Sequence, residues 1–405
     1  MAEIPVLSPA RAQLAKKAGR YRTLASIVSG LDRYLSFPFP PRPCLNISIP
    51  STISQTTGSI QLYFYTAQGK DLSPDPQSAK RPVLVNFHGG GFTIGHAVDD
   101  ARWFRKVLQS YPDAVVVSVG YRLAPEHPYP TAIQDSADAV LWLWKNADQH
   151  NLDRTRFVLS GDSAGGNLAL TVPLMLYNER VKQQQQQQQQ SPASEQEKAD
   201  EEILESRLAG LITFYPPTNW TRTREQRDAT NPIAARKSMI KPGVFKVFDD
   251  SYLDPENLPY ASVGTEGGSK QVDMAHPYLS PGLMPTSLLL AAYPPNVSIY
   301  TCGWDQLLAE GNEFRERLRL LAVEGQMAHV GGTVIEDVVH GFDKKPSFVM
   351  GNKTRDRMYG DAINHPLQTI MSGHASCPKC GAALVSAGKS CGSCGAVRRF
   401  SHYYY

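Results

Sequence analysis

Three rhythms of apolar and polar positions follow one another along this chain. Residues 11–35 place Leu14, Ala18, Tyr21, Leu24, Ile27, Val28, Leu31 and Leu35 at roughly helical spacing and stop at the prolines of residues 38–43, which predicts one helix or two. Period-two alternation follows in residues 45–49 and 59–65, bridged by a Ser/Thr-rich turn, and predicts an antiparallel strand pair. Residues 71–78 read as loop. Beyond them, short apolar runs at 83–87, 114–119, 157–160, 208–214, 297–301 and 333–338 alternate with helical stretches such as 133–147 and 310–323. Strand and helix in alternation mark a mostly parallel sheet covered on both faces, an α/β architecture.

Two segments break that rhythm. Residues 183–190 are all glutamine and continue into polar residues as far as Glu202, so the stretch 182–203 cannot bury enough apolar surface to order itself and is expected to be a disordered insert behind a helix. Residues 218–285, rich in Pro, Gly, Asp and Tyr, suit an insertion lying over the C-terminal edge of the sheet as a cap.

The first candidate chemistry is Ser163, in Gly161-Asp162-Ser163-Ala164-Gly165-Gly166, directly after the apolar run of residues 156–159. Glycines on both sides permit a cramped strand-to-helix turn that lifts a serine hydroxyl above a sheet, the setting of a nucleophile. A serine nucleophile also needs a base, an acid that orients it, and donors for the oxyanion. The donors are suggested by His88-Gly89-Gly90-Gly91-Phe92 at the end of the run 83–87, because residues without Cβ atoms let backbone N–H groups approach a substrate oxygen.

Composition narrows the setting without naming a partner. Hydrophobic and charged fractions of 41% and 20% are those of an ordinary globular enzyme, and a net charge of +3 gives no basic stripe for nucleic acid. No apolar run is long enough to cross a membrane, and the N-terminus lacks a signal-peptide core. Residues 8–30 are basic with no acid before Asp32, which leaves a mitochondrial presequence as an alternative to a surface helix. Cys44 and Cys302 stand alone while four cysteines cluster at the C-terminus, which is not a disulfide framework and favours a reducing, cytoplasmic location. Four Asn-x-Ser/Thr sequons carry no weight without an export signal.

The glycine loop, the serine turn and the intervening Tyr121-Arg122-Leu123-Ala124-Pro125-Glu126-His127-Pro128-Tyr129-Pro130 together resemble the hormone-sensitive-lipase-like carboxylesterases, α/β-hydrolases, over roughly residues 10–365. The resemblance implies an order Ser, Asp, His, with the acid and histidine following the last two strands. Cys302-Gly303-Trp304-Asp305-Gln306 resembles the acid block, with Gln306 where the family usually has proline, and His340-Gly341-Phe342 resembles the histidine block. It therefore implies Ser163 as nucleophile, His340 as base, Asp305 as acid, and the N–H groups of Gly90, Gly91 and Ala164 as oxyanion donors. Asp337, close to His340, stands as a rival acid. Asp162, Glu126 and His88 are expected to brace loops. The resemblance also assigns residues 1–45 and 218–285 to a two-part cap on a hydrolase domain of residues 46–370. Trp220, Phe245, Phe248 and Tyr252 are candidates to line its pocket, with packing inside the cap as the alternative for each.

The chain ends with Cys377-x2-Cys380-x10-Cys391-x2-Cys394, outside the hydrolase pattern. Two Cys-x-x-Cys knuckles, each followed by glycine, can surround a tetrahedral zinc ion, and residues 375–397 resemble a small zinc ribbon with a structural metal and no open coordination position. Such a ribbon permits a protein partner. The reading for the whole is a serine hydrolase acting on small-molecule esters of small to medium acids without a catalytic cofactor. Amide, formamide, carbamate or lactone hydrolysis with the same residues is the alternative. A ligand receptor or an interaction protein is a third class, and His340 argues against the receptor, since the family's receptors have lost that histidine.

Overall fold

A computed structural model describes residues 7–35, 39–69, 72–73, 79–187, 207–238, 240–254, 261–263, 270–344 and 352–372. The N-terminal apolar rhythm forms one helix, α1 (Pro9–Leu35), rather than two. The alternating pair becomes β1 (Leu45–Pro50) and β2 (Ser59–Thr66), antiparallel with Leu45 opposite Phe64. There follow β3 (Arg81–Phe87), α2 (Ala101–Ser110), β4 (Val115–Gly120), α3 (Thr131–Lys145), β5 (Leu152–Asp162), α4 (Ala164–Gln187) and β6 (Leu208–Phe214). Leu72 and Ser73 lie in no regular element, and the rest of the predicted loop 71–78 falls outside the described residues.

Next come three short helices, α5 (Arg224–Thr230), α6 (Pro232–Lys237) and α7 (Pro242–Tyr252), and an antiparallel ribbon, β7 (Ala261–Val263) with β8 (Lys270–Val272). The chain then returns to the sheet through α8 (Thr286–Ala292), β9 (Asn296–Trp304), α9 (Leu308–Val323), β10 (His329–Gly331) and β11 (Val334–Val339). Two helices, α10 (Asn352–Ala362) and α11 (Gln368–Met371), end the described chain.

The strands make one sheet in the order β1-β2-β4-β3-β5-β6-β9, with β10 and β11 both pairing β9 as two parts of the far edge. Within this sheet, among the described residues, the β1–β2 and β2–β4 pairings are antiparallel and the later neighbours run parallel. Every residue of β3 is buried, as expected of a strand covered on both faces. Its alternation splits the core in two: Val83, Val85 and Phe87 join the cluster that includes Ile133 of α3 and Leu168 of α4, while Leu84 joins Phe104 of α2 and Tyr359 of α10.

The glutamine tract departs from the expected boundary. Helix α4 continues through Gln187, so the first five glutamines extend a helix that began at the serine turn instead of starting a loop at 182. Glutamine is a good helix former, and an existing helix adds residues without a new nucleation cost. Residues 188–206, and the proposed zinc-ribbon segment with Cys377, Cys380, Cys391 and Cys394, lie outside the described residues.

Candidate active site

Strand β5 ends at Asp162 and helix α4 begins at Ala164, leaving Ser163 alone at the junction with φ = +50°. That left-handed conformation is unfavourable for a residue with a Cβ and persists only where its surroundings fix it. Here they do. The Ser163 N–H donates to the Phe214 carbonyl at 2.9 Å, and the Ser163 carbonyl accepts from Asn167 N–H at 3.0 Å, starting α4. Strand β3 passes so close behind the turn that a Cβ on Gly165 would fall on the Phe87 carbonyl, which explains the glycine there.

The end of β9 and the end of β11 bring two further side chains to Ser163. His340 Nε2 lies 2.8 Å from Ser163 Oγ, and His340 Nδ1 lies 2.7 Å from Asp305 Oδ2. Asp305 is itself held: its Oδ1 accepts Leu307 N–H at 3.0 Å, and its carbonyl accepts Asn231 Nδ2 at 3.0 Å. Asp337, the rival acid, is exposed on β11, while Asp305 is buried against the imidazole. Burial pushes the pKa of His340 down, but the Asp305 charge, its hydrogen bond and the more distant Asp343 outweigh that effect and raise it overall. Tyr215, another left-handed residue at φ = +42°, sets its ring edge-on to the imidazole at 4.8 Å between centroids.

The glycine loop after β3 lies beside this trio. Gly90 (φ = +117°) and Gly91 (φ = +59°) adopt left-handed backbone, and a Cβ on Gly91 would collide with the Phe248 ring. The loop is anchored on both sides. Gly89 N–H donates to Asp162 Oδ1 at 3.1 Å. Arg22 of α1 donates to the Thr93 carbonyl at 2.8 Å and the Ala124 carbonyl at 2.7 Å, and forms a two-pronged pair with Glu126 at 2.9 and 2.7 Å. His88 stacks on Tyr121 at 4.3 Å, and burial holds its imidazole below the usual pKa and hence neutral.

A cavity of about 460 Å³ opens over Ser163 and His340. Gly90, Gly91 and Ala164 line its floor with Ser163, and Trp220, Phe245 and Phe248 line it as anticipated. Tyr252 does not. It is fully buried and stacks on Phe92 at 3.7 Å with rings nearly parallel, so it supports the glycine loop from behind. Helix α1 contributes Ala25, Val28 and Ser29 to the same cavity.

Several residues here carry no local sequence signal. Lys344 places Nζ against Asp100, 3.2 Å from Asp162 and 3.4 Å from Asp343, a single ammonium among three carboxylates. Asp343 accepts Tyr215 and Tyr359 hydroxyls on its other lone pairs. Arg227 of α5 forms a buried pair with Glu310 of α9 at 2.8 Å, and Glu310 also accepts Thr218 and Asn219 N–H. These partners lie 83 to 92 residues apart for Glu310 and 182 to 244 for Lys344 with Asp162 and Asp100, so only the fold joins them. Lys344, four residues after His340, is the one that an unexpected charge at the end of an apolar block could have flagged.

Chemically, the trio can move a proton from a serine hydroxyl to an imidazole whose other nitrogen is fixed by a carboxylate, beside glycine N–H groups able to meet a developing oxyanion.

A model of the α/β-hydrolase-fold family matches residues 84–344. The human arylacetamide deacetylase-like 2 is 30% identical over 307 residues, covering 68% of this chain and 72% of that protein. The esterase LipI of Mycobacterium tuberculosis is 44% identical over 98 residues, a stretch that covers 24% of this chain and only 30% of the esterase's length. Among solved structures, a thermostable carboxylesterase from a metagenomic library aligns with a TM-score of 0.62 at 23% identity, covering 88% of this chain and 97% of the other. A Pyrobaculum calidifontis esterase aligns at 0.61 and 23%, covering 91% and 99%. At that identity the structural matches speak for the fold. The chain belongs to the α/β-hydrolase-fold family, in the hormone-sensitive-lipase-like branch that its three motif blocks resemble.

Proposed function

We propose that this protein hydrolyses carboxylic esters by nucleophilic catalysis at Ser163. The observation that carries the reading is the unbroken path from Ser163 Oγ through His340 to Asp305, at 2.8 and 2.7 Å. Asp305 accepts the Nδ1–H of His340, which leaves the Nε2 lone pair to take the serine proton. Ser163 attacks the acyl carbonyl, and the N–H groups of Gly90, Gly91 and Ala164 receive the oxyanion. Collapse of the tetrahedral species expels the alcohol, to which His340 returns the proton. Water then repeats the sequence on the acyl-enzyme and releases the acid. The roles need no catalytic cofactor.

The cavity suits an acyl group of small to medium length, and helices α1 and α5 to α7 serve as its cap. Arg11 of α1 supports this arrangement, since it donates to the Ser251 carbonyl of α7 at 2.9 Å and to the Pro125 carbonyl at 2.7 Å. The test is turnover of a p-nitrophenyl ester series by the wild type and Ser163→Ala, with an arylacetamide included because one relative's name carries that word. Acyl preference for short chains and silence of the variant support the reading; equal turnover by both proteins rejects it.

Two further roles complete the proposal. Cys377, Cys380, Cys391 and Cys394 hold a structural zinc ion, supported by their spacing. Metal analysis of the full chain and of Cys377→Ser tests this, and equal zinc content in both would reject it. The protein works in a reducing, cytoplasmic setting, supported by the free thiols of Cys44 and buried Cys302. Among the described residues, no helix is long and apolar enough to cross a membrane.

A further inference from the structure

Helix α1 turns an unusual face away from the protein. Leu24, Ile27, Val28, Leu31 and Leu35 recur every three or four residues and are 46% to 60% exposed. Toward the N-terminal half of the same helix, Lys16, Lys17 and Arg20 are also exposed. At about 100° per residue, all eight fall within a sector of about 120°, so cations and apolar groups share one side of the helix. No acidic residue lies between Pro9 and Leu31 to offset them.

The orientation is fixed by the opposite side. Arg11 and Arg22 reach into the protein as described above, Ser29 donates to Asp99 at 2.6 Å, and Ala18 is fully buried. Rotating the helix to bury the leucines would break these bonds. The apolar stripe is also continuous with the mouth of the cavity, because Val28 belongs to both.

We propose that this face of α1 is a docking surface for an anionic lipid bilayer, with Leu24, Ile27 and Leu31 entering the acyl boundary and Lys16, Lys17 and Arg20 contacting headgroup phosphates and carboxylates. A helix that is apolar toward one end of an exposed face and cationic toward the other matches the two layers of such an interface, since burial of apolar area and attraction to anionic lipid add. A second copy of this chain would bring the same three cations onto one another or leave them unpaired, which the charge pattern disfavours. The helix lies on the bilayer and does not span it. Docking there would hold the cavity mouth at the membrane surface, where apolar molecules concentrate.

The experiment is co-sedimentation of the full chain with vesicles of phosphatidylcholine alone and of phosphatidylcholine containing phosphatidylserine. The Ser163→Ala protein is run in parallel, so that binding is read independently of any hydrolysis. The wild type and Ser163→Ala should both bind the anionic vesicles, less so as salt rises. Lys16→Glu/Lys17→Glu/Arg20→Glu should lower that binding by at least about tenfold. Leu24→Ser/Ile27→Ser/Leu31→Ser should lose binding to both vesicles while melting at the wild-type temperature and turning over a soluble ester as before. Absence of vesicle binding by the wild type overturns the proposal. So does binding that survives the serine substitutions, or a stripe that instead drives concentration-dependent self-association in the absence of lipid.

Discussion

The carboxylate of Asp162, immediately before Ser163, accepts the backbone N–H of Gly89 at 3.1 Å, so the serine turn and the glycine loop are held to one another by a single side chain. Burial and the nearby Asp100 raise the pKa of Asp162 well above its ordinary value, opposed by Lys344. The three surrounding carboxylates in turn raise Lys344, against its own desolvation, and keep it charged.

Removing that cation is therefore expected to cost stability in a pH-dependent way. Lys344→Met leaves Asp100, Asp162 and Asp343 without their ammonium, a loss of about 3 kcal/mol, the low end for breaking a buried pair because Lys344 is 30% exposed. Asp162, already raised by burial and opposed only by Lys344, should have its folded-state pKa raised further. A raised acid binds more protons folded than unfolded, so the deficit should shrink as pH falls from 8 toward 5. Urea melts of both proteins at several pH values check this; a deficit that grows on acidification would contradict it.

Asp305 fixes the tautomer of His340, and Asp305→Asn should lower kcat by about 10⁴-fold while leaving the fold intact. Asp337→Asn, at an exposed position on β11, should leave kcat within about twofold, on the scale of ordinary surface changes. Parallel kinetics on the two variants separate the two acids, and the reverse order would reassign the role.

The upward shift of His340 sets the acid limb of the rate profile. The base works only when neutral, so a raised pKa carries loss of kcat/KM to a higher pH, with a midpoint above the ordinary histidine value of about 6.5. A midpoint below that value would mean that desolvation outweighs Asp305.

Close approach makes some glycines irreplaceable and leaves others free. Gly165→Ala drives a Cβ into the Phe87 carbonyl, a clash with backbone that should cost at least about 1–3 kcal/mol and depress activity through the serine turn. Gly360→Ala, in α10 with nothing within 4 Å of the added atom, should stabilise by about 0.4–1 kcal/mol. Thermal melts of the pair test the contrast.

Periodicity and short motifs carried the architecture because they are local. The apolar runs that became β3, β4, β5, β6 and β9 are legible because these strands are buried on both faces, β11 is legible from its apolar Val334, Ile335, Val338 and Val339, and Ser163 is legible because its turn demands glycines within three residues. Chain order and the block around it favour Asp305 over Asp337 as the acid, but only the fold shows which carboxylate meets His340, at 2.7 Å from Nδ1. Lys344 with Asp100, Arg22 with Glu126, and Arg227 with Glu310 join residues 83 to 244 positions apart, and nothing in their neighbourhoods announces the partner. Tyr252 shows a related limit of local sequence: an aromatic in a cap segment can face the cavity or pack on the loop beneath it, and stacking on Phe92 decides the matter.

The central claim is that Ser163 Oγ is the nucleophile activated by His340. Reaction with a fluorophosphonate, followed by intact-mass measurement and peptide mapping, tests it directly. The account predicts one adduct per chain, on Ser163, forming far more slowly in His340→Ala and absent in Ser163→Ala. An adduct on any other residue, or labelling of Ser163→Ala at the wild-type rate, would contradict it.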